Sequence, residues 1–230
     1  MKVFGKNVVR ELLSDPTKIK KIYLTQNFKD NDILNAIKSN HVQYETMDQR
    51  AMSHLSENNQ GIMAVINDYE YSDYKKMIND PIILMLDHLE DPHNFGAIIR
   101  SCESAGIKSI IIPKDRSVDV SPTVMKTSAG ALEYVNIAMV NNLVNTINYF
   151  KDNGYFVYGA EADGTNYKQI KYPNKVVLVI GSEGNGLSSL VRKSCDEIVS
   201  LPMKGHVNSL NASVAAGILI YDVMDKVNEL

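Results

Sequence analysis

The sequence predicts an α/β protein: a mostly parallel sheet with helices on both faces, preceded by a smaller α/β unit. Two patterns carry that expectation. Apolar runs such as Ile82-Ile-Leu-Met-Leu86 and Val176-Val-Leu-Val-Ile180 are continuous rather than alternating, as in strands buried on both faces. Between such runs lie segments of helical periodicity about ten residues long, the rhythm of strand–helix–strand units. A third observation divides the chain. Residues 67–80 are polar and tyrosine-rich, and from Pro81 the character changes to buried-type apolar strands.

Taken in order, residues 1–70 read as a small domain, 71–80 as a linker and 81–230 as a larger domain. The first has helical spacing over 7–13, a strand at 21–24, a helix at 33–39, a strand at 42–45, a helix at 47–55 and a strand at 62–66 behind Gly61. The second opens with the strand 82–86, ending at Asp87. A loop Asp91-Pro-His-Asn94 leads into a helix over 95–105, closed by Gly106. A strand at 109–112 stops at Pro113, a helix covers 122–127, and a Ser-Ala-Gly turn precedes a strand near 134–137. A helix at 142–152 and a strand at 155–159 follow. The stretch from Val176 to Asp222 then joins two strands, two irregular loops and a helix beginning near Ser209. Strand ends and loops converging so closely are how a ligand site is built in an open α/β sheet.

Composition excludes several classes. With 44% apolar and 22% charged residues the chain has the makeup of a soluble globular protein. No apolar run approaches the ~18 residues of a membrane span, and the N-terminal residues lack the apolar core of a signal peptide. A cytoplasmic protein is expected. Cys102 and Cys195 are too few for a disulfide framework or a four-cysteine zinc site, and the five histidines do not fall at metal-ligand spacings. No metal is expected. A net charge of −3 argues against a generic nucleic-acid binder. Residues 1–29, however, hold seven basic against two acidic side chains, which suggests a polyanion at that end or merely a solvated helix face.

Three constellations could carry chemistry. In Asp91-Pro-His-Asn94-Phe-Gly-Ala-Ile-Ile-Arg100, Asn94 occupies a helix N-cap position and capping is its plain explanation. Arg100 follows on a helix whose Ile98, Ile99, Cys102 and Ala105 read as buried, so it needs an anionic or hydrogen-bonding partner. Gly181-Ser-Glu183-Gly-Asn-Gly186 is neither a dinucleotide fingerprint nor a P-loop, because Glu183 stands inside it and no Gly-Lys-Ser/Thr follows. A carboxylate there would orient an amine, a hydroxyl or an arginine, or simply cap a helix. Asn208-Ser-Leu-Asn-Ala-Ser213 offers more candidate caps than one helix start requires. No serine–histidine–acid set is evident, which disfavours a hydrolase.

These blocks, with Leu201-Pro-Met203, resemble the SpoU (TrmH-like) 2′-O-ribose RNA methyltransferases of the SPOUT superfamily. Phe4-Gly-Lys-Asn-Val-Val-Arg-Glu-Leu and Gln60-Gly-Ile-Met-Ala resemble the small RNA-binding domain of the branch that methylates a guanosine of 23S ribosomal RNA (the RlmB branch), so the resemblance spans nearly the whole chain. It implies a trefoil-knotted α/β methyltransferase domain, a homodimer and S-adenosylmethionine as methyl donor. It implies that Gly181, Leu201, Leu210, Ile180, Ser182, Gly186, Pro202 and Met203 contact that donor. Arg100, Asn94, Glu183, Ser209 and Asn211 are the implied catalytic and substrate-orienting set.

The implied chemistry is attack of a ribose 2′-hydroxyl on a sulfonium methyl. A guanidinium deprotonates poorly, so Arg100 is expected to act as a cation, held by Asn94 and Glu183, stabilising the alkoxide. Requiring a 2′-hydroxyl makes RNA the partner. The alternatives are a transfer-RNA or antibiotic-resistance methyltransferase, a dinucleotide-dependent oxidoreductase, and a non-catalytic RNA-binding protein.

Overall fold

The computed structural model describes residues 1–206 and 209–228; Asn208 of the third constellation lies outside the described residues. The chain forms two compact units.

The first unit comprises residues 1–70 together with residues 120–130. Its sheet contains β1 (Lys2–Phe4), β2 (Ile19–Thr25), β3 (Tyr44–Met47) and β4 (Ile62–Ile66), in the order β1-β4-β2-β3. Only β2 and β3 run parallel. Helices α1 (Lys6–Leu12), α2 (Asn31–Ser39) and α3 (Gln49–Leu55) connect the strands, and Val9, Ile22, Ile33, Ile37 and Ile62 form the core. β1 was not legible beforehand, since three residues are too few to show alternation. β3 begins two residues after the expected start because the Val42 amide closes α2, donating to the Ile37 carbonyl.

The basic excess of residues 1–29 is largely met within this unit. Lys6 and Arg10 both pair with Asp30, Lys18 with Asp15, and Lys21 with Glu45. Helix α5 (Pro122–Thr127) has Ser121 as its cap and belongs to this unit, where Met125 packs on the core. At Gly130, with φ +96°, the Glu11 carboxylate occupies the space a side chain would need.

The second unit holds six parallel strands: β5 (Ile82–Asp87), β6 (Ser109–Pro113), β7 (Asn136–Val140), β8 (Phe156–Asn166), β9 (Val176–Gly181) and β10 (Glu197–Ser200). Their order is β10-β8-β9-β5-β6-β7. Strands β5, β6 and β9 are buried along their whole length, as their unbroken apolar runs require. Helices α6 (Leu143–Asp152) and α7 (Ser189–Ser194) cover one face, where Phe150 of α6 packs with Ile83, Met85, Val157 and Val179 of the strands. Helices α4 (Pro92–Ser104) and α8 (Ala212–Asn228) pack against each other, and α8 also packs on β9.

Residues 71–80 pack into this unit. The Ser72 amide donates to the Ile137 carbonyl, and Tyr74 stands edge-on to Tyr149 at 5.3 Å between centroids. Met77 is buried. β8 runs seven residues past the expected end at Gly159. Its outer half is polar, so no apolar run marks it; the strand persists because β10 pairs with it around a bulge between Ile198 and Val199. Gly164 allows that close approach, since a Cβ there would lie 2.4 Å from the Ile198 carbonyl oxygen. No described helix is long and apolar enough to cross a membrane.

Strand order fixes where a site can form. From β5 the chain builds outward through β6 and β7, then crosses to start β8 and β9 on the other side of β5. The reversal lies between β5 and β9, and their carboxyl ends, Asp87 and Gly181, are paired. Ligands bind in open parallel sheets at such a crevice.

Candidate active site

The loop after β9 is held from three sides. Ser182 and Gly186 exchange backbone hydrogen bonds of 3.1 and 2.9 Å, closing the loop on itself, and Gly186 takes φ +63°. The Leu187 amide donates to Glu161 Oε1 at 2.6 Å and the Ser188 amide to Asp87 Oδ2 at 2.6 Å. Gly181 has no room for a side chain: a Cβ would lie 2.2 Å from the Gly186 carbonyl carbon. Glycines at 181 and 186 are thus required by geometry, for close approach and for a left-handed turn respectively.

Helix α4 starts three residues earlier than its apolar spacing indicated. Asp91 is the N-cap, accepting from the His93 amide at 2.9 Å, and Pro92 takes the first helical position, where a missing N–H costs nothing. The expectation that Asn94 caps this helix is therefore corrected. Asn94 lies inside the first turn, buried, and its amide points into the crevice.

There it meets the other two constellations. Asn94 Nδ2 donates to Asp91 Oδ2 at 2.9 Å and to Glu183 Oε1. Asn211 Nδ2 donates to Asn94 Oδ1 at 3.0 Å and to Glu183 Oε1 at 2.9 Å. The opposite atom of the same side chain, Asn211 Oδ1, accepts from the Ser213 and Val214 amides and so caps α8. One asparagine thus serves both as a cap and as a link, which is why that stretch carries more polar residues than a helix start needs. The acidic residue of the middle constellation binds the two asparagines of the others.

Arg100 is placed differently. Six helical residues turn it roughly 120° around α4 from Asn94 and about 9 Å along it. It is exposed, and no hydrogen bond or ion pair ties it to another described residue. The partners expected to hold it, Asn94 and Glu183, hold Asn211 instead. A solvated guanidinium at a helix surface needs no protein partner, so the burial of Ile98, Ile99 and Cys102 on the same helix does not extend to it.

Beside the cluster lies a cavity of about 400 Å³. Ile180, Gly181, Ser182, Gly186, Leu201, Met203, Leu210, Glu183 and Ser209 line it; Pro202 does not. Val199, Ala212, Ala215, Leu219 and Glu161 also belong to the wall. Glu161 had no sequence signal, because it sits on the polar half of β8. Asp87 is fully buried and anchors the loop through Ser188. The small side chains of α8 also find their reason here, since Ala212 and Ala215 form cavity wall and Gly217 faces Ser101 of α4. Among the described residues, no group of three or more His, Cys, Asp or Glu could hold a metal ion.

Comparison with known proteins agrees with this layout. Residues 81–221 match the model of the SpoU rRNA Methylase family, and residues 2–72 match that of RNA 2′-O ribose methyltransferase substrate binding. The chain is 40% identical over 238 residues to a Staphylococcus saprophyticus protein named for the TrmH family of tRNA/rRNA methyltransferases, covering 98% of this chain and 96% of that one. A Staphylococcus aureus protein of the same name is 40% identical over 236 residues, covering 97% and 95%. A TrmH-family RNA methyltransferase structure from Porphyromonas gingivalis superposes with a TM-score of 0.78 at 29% identity, covering 96% of this chain and 88% of that one. The fold is also that of the SpoU methyltransferase AviRb from Streptomyces viridochromogenes, crystallised with its cofactor AdoMet (TM-score 0.80, 22% identity, 100% and 91% covered). With both family models and full-length relatives matched, the chain belongs to the SpoU/TrmH family of RNA methyltransferases, with the knotted α/β fold of that family behind a substrate-binding domain.

Proposed function

We propose that the protein methylates a ribose 2′-hydroxyl of RNA, using S-adenosylmethionine, with a guanosine of 23S ribosomal RNA as target. One observation carries this reading: the Asn94–Glu183–Asn211 network sits at the rim of a cavity floored by the glycine loop after β9. The cavity suits a nucleoside with a short polar tail. Its volume falls within the range of small-molecule sites. Ile180, Val199, Leu201 and Leu219 supply apolar walls for a purine, and the loop backbone brings polar atoms to one end.

When bound, S-adenosylmethionine supplies a methyl group already activated on a sulfonium. The task left to the protein is alignment, which contributes about 7–11 kcal/mol in well-oriented systems. Glu183, fixed by two asparagine amides, presents its carboxylate at the cavity mouth, and Ser209 and Asn211 position the ribose beside it. Arg100, without a partner among the described residues, takes the RNA phosphate and stabilises the developing alkoxide. The 2′-hydroxyl proton leaves to phosphate or water.

The active form is a homodimer in the cytoplasm. On α8 the apolar side chains of Val214, Ile218 and Tyr221 form an exposed stripe at 51, 39 and 46% exposure, one helix face with no cover in a single chain. A second copy covers it.

The direct test is to incubate the protein with tritiated S-adenosylmethionine and ribosomal RNA from cells lacking the gene, then map the methylated position. A single new 2′-O-methylguanosine in 23S RNA is expected. Label found on a base, or only in transfer RNA, would displace this target.

A further inference from the structure

A second cavity, of about 810 Å³, adjoins the first along the 182–186 loop and shares Ser182, Glu183, Gly184, Asn185 and Gly186 with it. Its remaining wall comes from the turn after β5, including His88 and Glu90, and from Arg116. The two turns are stitched together. The Val118 amide donates to the Leu89 carbonyl at 2.7 Å, and Ser117 Oγ donates to the same oxygen at 3.2 Å. His88 and Arg116 both take left-handed backbone, φ +57° and +50°, where a side chain is disfavoured. Two such residues on one rim mark a turn shaped by something other than local preference.

The polar groups of this cavity divide into used and unused. Asp87 is occupied by the Ser188 amide and by His88 Nδ1, Asp91 by the cap of α4 and Asn94, and Glu183 by the two asparagines. Three groups have no partner among the described residues: the Arg116 guanidinium, the Glu90 carboxylate and His88 Nε2. Nδ1 of His88 is engaged by the buried Asp87 carboxylate, which leaves Nε2 as the ring nitrogen open to a ligand.

The chemistry of that set selects a ligand. Asp87, Glu90, Asp91 and Glu183 outnumber the single guanidinium, so the cavity disfavours a phosphate. A neutral planar ring bearing both donors and acceptors fits instead: its acceptors meet the Arg116 fork, its amino or imino N–H groups meet Glu90, and His88 Nε2 hydrogen-bonds the same edge. We propose that this second cavity seats the base of the nucleotide to be methylated, with Arg116, Glu90 and His88 reading its edge. The proposal rests on the methyl-transfer reading above. A base in this cavity hangs its ribose at the shared Glu183 wall, between the two cavities, where the 2′-hydroxyl must lie.

The test uses the whole protein and free nucleosides. Histidine ring resonances are followed by NMR while adenosine, guanosine, cytidine and uridine are added separately to protein saturated with S-adenosylmethionine; the His88→Gln variant identifies the His88 signal. At least one nucleoside should shift that signal saturably. Arg116→Ala should weaken the nucleoside tenfold or more while leaving the affinity for S-adenosylmethionine, read by calorimetry, within twofold. In methyl transfer to ribosomal RNA, Arg116→Ala should raise KM more than it lowers kcat. Silence of the His88 signal to all four nucleosides would overturn the proposal, as would a response to inorganic phosphate alone. Failure of S-adenosylmethionine to bind would instead strike at the methyl-transfer reading, so the two failures are distinguishable.

Discussion

Asn94 and Arg100 stand six residues apart on one helix and are held in opposite ways. Asn94 is buried and hydrogen-bonded to Asp91, Glu183 and Asn211, joining segments up to 117 positions apart in sequence. Arg100 is exposed and unbonded to any described residue. The difference teaches how the site divides its labour. The network fixes the glycine loop and the start of α8 before any ligand arrives, so its geometry costs no reorganisation at the moment of reaction. The cation is left solvated at the helix surface, without a partner among the described residues.

Removing each in turn should break that contrast along different axes. The largest effect is expected for Arg100→Ala: methyl transfer falls by roughly 100-fold or more, the scale of losing one charge-stabilising group. Binding of S-adenosylmethionine by calorimetry should be unchanged, and stability should move by no more than about 0.5 kcal/mol, as for an exposed side chain. Loss of cofactor binding in this variant would make Arg100 structural. Asn94→Ala should show the reverse balance. It strips a buried side chain from three partners, so denaturant unfolding should report a loss of about 1–3 kcal/mol alongside reduced activity.

Gly181→Ala probes the loop that both halves depend on. The added methyl meets backbone, not a flexible side chain, so a destabilisation of about 1–3 kcal/mol and weaker S-adenosylmethionine binding are expected. Wild-type affinity in that variant would show that the loop is not the cofactor floor. Val214→Asp tests the stripe on α8. Light scattering should shift from a dimer towards a monomer at micromolar concentration, and an unchanged dimer would exclude this face as the interface.

The smallest effect concerns the thiols, which belong to neither half. Burial disfavours the thiolate, pushing Cys102 well above its ordinary value and Cys195 up to about 12. Both should stay protonated at pH 8 and react slowly with a thiol reagent until the protein unfolds, and fast labelling of the native protein would contradict that burial.

Legibility in the sequence followed the physics of each feature. Buried parallel strands announced themselves, because both their faces must be apolar; β5 and β9 could hardly read otherwise. The helix over 122–127 forms where it was expected, with Ser121 as its cap and Pro122 in its first turn, both of which act locally. The glycine loop could be located because only glycine tolerates its close approach and its turn. The outer half of β8 gave no warning, being polar on its own and stabilised by a partner about 34 residues later. Asp91 was passed over as the cap of α4 in favour of Asn94, since either residue type caps equally well.

What the sequence by itself determined is the parallel α/β architecture, the three constellations and, through their joint occurrence, the family. Those follow from local rules: burial on two faces, φ at glycine, and residue types that can hold or orient charge. Tertiary structure decided which of the constellation residues meet. Strand order brings the carboxyl ends of β5 and β9 together, and the return of the chain to α8 delivers Asn211 to Asn94 and Glu183. Helical geometry then turns Arg100 away from that network. A hydrogen bond between residues 94 and 211 has no local cause; it exists only because the fold closes the distance.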